Sequence, residues 1–229
     1  MGQRMAFNSF LDQLLKTGAA ALGEASAAVQ SPDGRKYATG AAVGGVLGLL
    51  LGNRGGRRLG GKVLKAGSVL ALGALAWKAY GEWQRQNAAT GATAAPAPGS
   101  APTGGFAALP APQLEAHSRA MLKAMIAAAK ADGHMDDAER ALVEAELQRV
   151  QADAQMRGWV EAELRRPLDA AEVAAAATGP EMAAEIYLAS VLVADETTAP
   201  ERAYLDELAR QLRLAPTLKA ELEARALQA

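Results

Sequence analysis

Residues 38–52 read ATGAAVGGVLGLLLG and form the least polar stretch of the chain. Glycines recur there at every fourth position, at Gly40, Gly44, Gly48 and Gly52. Because residues four apart lie on one face of a helix, these glycines would form a bare stripe along one side. Each would cost a helix in water roughly 0.5–1 kcal/mol relative to alanine, whereas small-residue stripes are common contacts between helices in lipid. The stretch predicts a membrane helix whose glycine stripe packs against another copy or a protein partner.

A basic loop and a second apolar run follow the glycine stripe. The 15 residues from Ala38 to Gly52 rise about 22 Å as a helix, short of a hydrocarbon core of roughly 30 Å. The loop carries four cations that we expect to contact anionic lipid headgroups: Arg54, Arg57, Arg58 and Lys62. The second run, Val63 to Tyr80, ends among aromatic residues, as at a membrane interface. Residues 35–83 therefore predict a glycine-rich membrane hairpin, and a soluble pair of alanine-rich helices is the alternative.

The cations around the hairpin bear on its orientation. If only the first segment spans, the loop cations on its C-terminal side outnumber Arg35 and Lys36 on the other side. The positive-inside rule then places the C-terminal domain in the cytoplasm. If both segments span, basic residues lie both in the loop and on the two outer flanks of the hairpin, and the rule favours neither orientation.

The N-terminal region, residues 1–34, predicts an amphipathic helix. Phe7, Phe10 and Leu11 share one face at helical spacing, and polar residues lie largely on the other. Such a helix either packs against the rest of the protein or lies on a membrane surface.

The regions after the hairpin differ sharply in composition. Residues 84–112 lie mostly within an uncharged stretch that is rich in alanine, proline and glycine, which predicts a flexible linker. From residue 113 to 229, apolar residues recur at helical spacing, and no segment alternates as a strand would. The chain is therefore predicted to be all-α, with a compact C-terminal bundle of about seven helices.

Two helix junctions of the C-terminal domain resemble each other: ADGHMDDAER, from Ala131 to Arg140, and ADETTAPER, from Ala194 to Arg202. In a structural interpretation, Asp136 and Thr198 are N-caps and Gly133 is a left-handed helix exit. In a functional interpretation, the junctions face each other and bind a divalent cation, which prefers oxygen ligands. The ligands would then be five carboxylates: Asp132, Asp136, Glu139, Asp195 and Glu201.

Composition argues against several functional classes. The net charge of −1 gives no electrostatic case for a nucleic-acid partner. The chain has no cysteine and only two histidines, and it contains neither a nucleophile-elbow serine nor a Walker phosphate loop. We therefore expect no enzymatic activity.

The junctions also resemble a known family. Ala131-Asp132-Gly133 with Glu139, the stretch from Val191 to Leu212, and LGNRGGRRLGG from Leu51 to Gly61 are similar to the TerB-like tellurite-resistance family. The likeness is to its membrane-anchored, YebE-like branch of bacterial inner-membrane proteins of unknown function. It implies a TerB-like helical domain at the inner membrane. It also implies, as for some members, metal-binding acidic residues at positions 132, 139, 195 and 201, although Glu196 stands where the second junction's pattern has glycine.

Together these features predict a membrane-tethered, non-catalytic interaction or scaffold module with a stress-related role. The alternative is a module that binds or senses a divalent cation through its acidic helix junctions.

Overall fold

The computed structural model describes residues 7, 9–11, 69–89, 110–133, 137–149, 151–194 and 198–228. Within these ranges the chain is all-helical and contains no strand, as the sequence predicts. Residues 7 and 9–11 are helical, and eight longer elements follow in chain order. They are α1 (Val69–Ala89), α2 (Ala111–Ala129), α3 (Asp137–Arg149), α4 (Ala154–Arg165), α5 (Ala170–Ala174), α6 (Pro180–Val193), α7 (Ala199–Gln211) and α8 (Pro216–Gln228).

Helix α6 is the centre of the core. Residues 182–191 are buried without interruption, and Ile186, Tyr187 and Leu188 are at most 1% exposed. A helix that is buried on every side has to be surrounded by other elements. Here α2, α1, α8 and α7 pack around it.

Helix α1 belongs to this bundle. Ala76 and Ala79 are fully buried, and their small side chains allow α1 to pack against α6 and α8. Trp83 stacks on Tyr80 with ring centroids 5.9 Å apart, and its indole Nε1 donates a 2.7 Å hydrogen bond to Thr217 Oγ1 on α8. The sequence instead suggested a second membrane segment ending in an interfacial aromatic belt. In the part of that run whose side chains the structure describes, Ala76, Ala79 and Tyr80 pack on protein, and the helix continues to residue 89, past the expected boundary at 83.

The N-terminal segment also packs on the bundle. Phe10 and Leu11 are each 1% exposed and belong to the same core as the buried face of α1. Phe7 meets the Trp159 ring edge to face with centroids 4.9 Å apart, and its backbone N–H donates a 2.5 Å hydrogen bond to Glu115 Oε1. Of the two placements left open for this amphipathic segment, the described residues show packing against the protein.

The membrane predictions fall mostly on other parts of the chain. The glycine stripe and the cations of the basic loop lie outside the described residues, so both stay predictions. Among the helices with described placement, none has the length and apolar character needed to cross a bilayer.

Candidate functional site

The first acidic junction follows α2. Gly133 has φ +82° and donates its N–H to the Lys130 carbonyl oxygen at 2.9 Å, which confirms the predicted left-handed helix exit. A Cβ at this position would meet nothing within 4 Å, so the backbone conformation rather than space is what favours glycine here. Asp132 is half-buried. Asp136 and the side chain of Glu139 lie outside the described residues.

The second acidic junction precedes α7. Thr198 Oγ1 accepts the Glu201 N–H at 3.4 Å and donates to Glu201 Oε2 at 2.5 Å. Thr198 is therefore the N-cap, with Pro200 and Glu201 in the first turn, as the sequence predicts. The Glu201 carboxylate is buried, with the residue only 4% exposed.

The structure describes the side chains of two of the five predicted metal ligands, Asp132 and Glu201. Asp195 lies outside the described residues, like Asp136 and the Glu139 side chain. Within the described ranges, no group of three or more histidine, aspartate or glutamate side chains is arranged to hold a metal ion. The five-carboxylate cation site stays a prediction, and the Glu201 carboxylate accepts a hydrogen bond from the N-cap residue Thr198.

A cleft that the sequence analysis did not predict lies between α2, the C-terminal end of α4, and α5. It is small and partly open to solvent, with room for little more than one water molecule. Buried side chains of Ile126, Ala127 and Val173 line it, together with Leu168, which is 40% exposed. Lys123, Lys130 and Arg166 supply positive charge to the same cleft. This space is far smaller than an ordinary ligand pocket.

Two of the three cations of the cleft converge on one carboxylate. Lys123 Nζ lies 2.6 Å and Arg166 Nη1 lies 2.5 Å from the same atom, Glu172 Oε1. The hydrogen bond from Lys123, with the charge of Arg166, lowers the pKa of Glu172. Arg166 Nη1 is also 3.4 Å from Glu163 Oε1. The cleft therefore holds a carboxylate between an ammonium and a guanidinium group.

Lys130 and Asp169 shape the backbone of the cleft. Lys130 Nζ donates to the carbonyl oxygens of Glu163 and Arg166, both at 2.7 Å, where α4 exposes unpaired carbonyl groups. Burial lowers the pKa of Lys130. Asp169 Oδ1 accepts the N–H groups of Ala171 and Glu172 and so caps α5. Main-chain groups thus form hydrogen bonds with both the Asp169 carboxylate and the Lys130 ammonium group.

A second polar pair lies in the core between α2 and α6. His117 Nε2 is 2.9 Å from Glu185 Oε2, and both side chains are 8% exposed. Burial raises the pKa of Glu185, the nearby His117 lowers it, and the charge of Glu181 raises it. In the sequence, His117 was one of two isolated histidines, and no local pattern linked it to Glu185.

Comparison with known proteins gives a family to which no function is assigned. A family model described as "Protein of unknown function (DUF533)" matches residues 36–226. An uncharacterized protein in the ampR 5′ region of Yersinia enterocolitica is 28% identical over 103 residues, which cover 45% of this chain and 74% of that protein. No solved structure matches.

Proposed function

The chain belongs to the DUF533 family, a TerB-like family of unknown function, and from this premise we propose that it is a membrane-tethered, non-catalytic interaction module. We assign it to the membrane-anchored branch at the bacterial inner membrane. The observation that carries the proposal is that the residues just before and just after the segment 12–68 belong to the same helical domain.

Both ends of that segment are fixed in one core. Phe10 and Leu11 precede it, Ala76 and Ala79 follow it, and all four belong to the same buried cluster. A segment whose two ends lie on one side of a bilayer crosses it an even number of times. This packing therefore favours a hairpin over a single pass through the glycine stripe.

Two full passes do not fit the segment either. Only 57 residues separate Leu11 from Val69, and each span needs about 20 apolar residues. The segment has one long apolar stretch, residues 38–52. We therefore favour a hairpin that enters lipid and returns to the same face, in place of the spanning hairpin. A turn at membrane depth needs protein around its backbone, and the glycine stripe would supply that by packing against another copy or a partner.

The basic loop favours the cytoplasmic face. Anionic lipids give the cytoplasmic leaflet a negative surface potential, and each nearby lysine or arginine contributes about 1 kcal/mol to attraction. Arg54, Arg57, Arg58 and Lys62 are the cations available for this contact. The helical domain would then lie in the cytoplasm beside the membrane.

Cysteine labelling tests this topology, since the natural chain contains no cysteine. Ser9→Cys and Ala74→Cys place single thiols at exposed positions on either side of the segment. In carbonate-washed, inverted membrane vesicles, a membrane-impermeant maleimide should label both variants, and in intact spheroplasts it should label neither. Labelling from opposite sides contradicts the hairpin, and release of the protein into the carbonate wash contradicts lipid insertion.

Crosslinking tests the glycine stripe separately. Gly44→Leu with Gly48→Leu would block close approach of a neighbouring helix, so crosslinking between copies in the membrane should fall. Val43→Leu with Val46→Leu is the matched control, because it adds side-chain bulk on the side of the helix away from the glycines. Equal crosslinking in the two double variants would argue against packing through the stripe.

A further inference from the structure

We propose that the exposed side of α1 lies on the anionic surface of the membrane, with the Trp77 ring among the lipid headgroups and Lys78 and Arg85 beside it. This surface, the outer face of α1, is formed by Ala74, Trp77, Lys78, Gly81 and Arg85. The inference rests on the proposed membrane tether, and it states which side of the helical domain meets the lipid.

The two sides of α1 have different surroundings. Ala76 and Ala79 are fully buried on the side that packs against α6 and α8. On the outer face, Trp77 is 37% exposed and is one of two large apolar side chains that the described part of the chain leaves exposed. Tryptophan is enriched at membrane interfaces, because its ring is apolar while its N–H can meet water or headgroups. An exposed tryptophan on a helix next to a lipid-bound segment therefore suits that interface.

The charge of the outer face suits an anionic surface. Lys78 and Arg85 are both exposed and lie seven positions apart, about two turns along the same side of the helix. Glu82 is the one acidic residue of α1, and its carboxylate forms an ion pair with Arg225 of α8. The outer face thus carries two cations and no carboxylate from α1 itself. Such cations are attracted to the negative surface potential of the cytoplasmic leaflet.

Gly81 lies between Trp77 and Arg85 on the outer face. A Cβ at this position would meet no atom within 4 Å, so no contact in the described part of the chain requires glycine here. Glycine within a helix is less favourable than alanine. Its absence of a side chain lets the helix approach a surface closely. Arg85 Nε donates to the Gly81 carbonyl oxygen at 3.2 Å, which keeps the guanidinium group on the same side of the helix.

The outer face also lies close to the segment assigned to the lipid hairpin. That segment ends at residue 68, and α1 begins at Val69. Trp77 follows eight residues later, which is about 12 Å along a helix. A chain that returns from the membrane at residue 68 therefore brings Trp77 within reach of the same surface. This continuity, together with the two cations, favours lipid over a protein partner as the cover of the face.

Tryptophan fluorescence of the full-length chain in vesicles tests this placement. The vesicles contain phosphatidylcholine and phosphatidylglycerol, and in a second preparation the phosphatidylcholine has brominated acyl chains, which quench tryptophans that contact the bilayer. Of the three tryptophans, Trp83 and Trp159 pack against the core, so the difference between the natural chain and Trp77→Phe reports on Trp77. Brominated lipid should quench the natural chain, and most of this quenching should be absent in Trp77→Phe.

A matched control moves the tryptophan to another exposed position. Leu168 is 40% exposed and lies between α4 and α5, which pack on α2 and α7. Leu168→Trp in the Trp77→Phe background should be quenched by brominated lipid no more than Trp77→Phe alone. The headgroup region is hydrated, so a thiol at Ala74 on the outer face would still react with the soluble maleimide of the labelling experiment.

Charge variants test the role of the cations. Lys78→Gln with Arg85→Gln should shift α1 about tenfold or more from the surface-bound towards the free form, because each cation near an anionic surface strengthens binding about fivefold. Quenching by brominated lipid should therefore fall, and raised salt should lower it in the natural chain. Arg165→Gln with Arg210→Gln removes two exposed cations from α4 and α7 and should leave quenching unchanged.

The opposite results would overturn the proposal: equal quenching of the natural chain and Trp77→Phe, or equal effects of the two double charge variants. Protection of Trp77 from acrylamide without quenching by brominated lipid would identify a protein as the cover of the outer face. If the chain does not float with the vesicles, the membrane tether fails together with this inference. A chain that floats and resists carbonate, but whose Trp77 is not quenched, contradicts this inference alone.

Discussion

Helix α2 carries two polar clusters that differ in depth. His117 on one face meets Glu185 of α6, with both side chains 8% exposed. Lys123 on another face meets Glu172 of α5, whose side chain is 42% exposed. The two pairs have similar distances between their charged atoms. Because water screens exposed charges and competes for their hydrogen bonds, the pairs should nevertheless differ greatly in their effect on stability. We infer that the core pair fixes how α2 and α6 pack, whereas the outer cluster can open with little cost to the fold.

The largest expected effect is from breaking the core pair. His117→Ala leaves the Glu185 carboxylate buried without the nearby imidazole, which should lower the free energy of unfolding by about 3–5 kcal/mol. The double variant His117→Leu with Glu185→Met should recover much of this loss, because no uncompensated charge remains. Urea unfolding of the full chain measures both. A loss below about 1 kcal/mol in His117→Ala would remove the contrast with the outer cluster.

The second expectation concerns the pH dependence of stability, because the two carboxylates are shifted in opposite directions. Burial raises the pKa of Glu185 from 4.5, so the folded state binds this proton more tightly than the unfolded state does. Its contribution to stability is present below pH 4.5 and is lost as the pH rises through the folded-state pKa. Lys123 and Arg166 lower the pKa of Glu172, so its contribution is present above pH 4.5 and is lost as the pH falls.

Urea unfolding between pH 3 and pH 7 measures these slopes. Relative to the natural chain, Glu185→Gln should gain stability as the pH rises above 4.5, and Glu172→Gln should gain as the pH falls below it. Variants with slopes of the same sign would contradict the assignment of one carboxylate to a desolvated site and the other to a cation-rich one.

The third expectation concerns the cap at the second acidic junction. Thr198→Ala removes the side-chain acceptor for the Glu201 N–H and should cost about 1 kcal/mol in thermal or urea unfolding. Thr198→Ser is the matched control and should stay within a few tenths of a kcal/mol. A calorimetric titration of the full chain with Mg²⁺, Ca²⁺ or Zn²⁺ tests the cation hypothesis at the same junction. Absence of heat at millimolar cation would contradict the cation hypothesis and leave Glu201 with its structural role in the first turn of α7, beside the N-cap Thr198.

The local features of the fold could be predicted from sequence, and the long-range ones could not. Thr198 and Gly133 act through their immediate neighbours, so a cap and a left-handed exit are visible in a few residues. The apolar run that includes α1 has a composition that suits a protein core as well as a lipid environment. Composition alone therefore does not distinguish a buried helix from a membrane helix. The cleft joins Lys123 to residues more than 40 positions later. Only the packing of α2, α4 and α5 makes them neighbours.

The smallest expected effect is also the most specific test of the comparison between the two clusters. Glu172→Gln removes the carboxylate shared by Lys123 and Arg166, and ion pairs of this exposure contribute about 0–1 kcal/mol. The free energy of unfolding measured in urea at pH 7 should therefore change by less than about 1 kcal/mol. Glu161→Gln, which breaks the exposed pair with Arg165, is the matched control for stability. A loss as large as that of His117→Ala would mean that the outer cluster stabilises the fold as much as the core pair does, which would contradict the contrast between them.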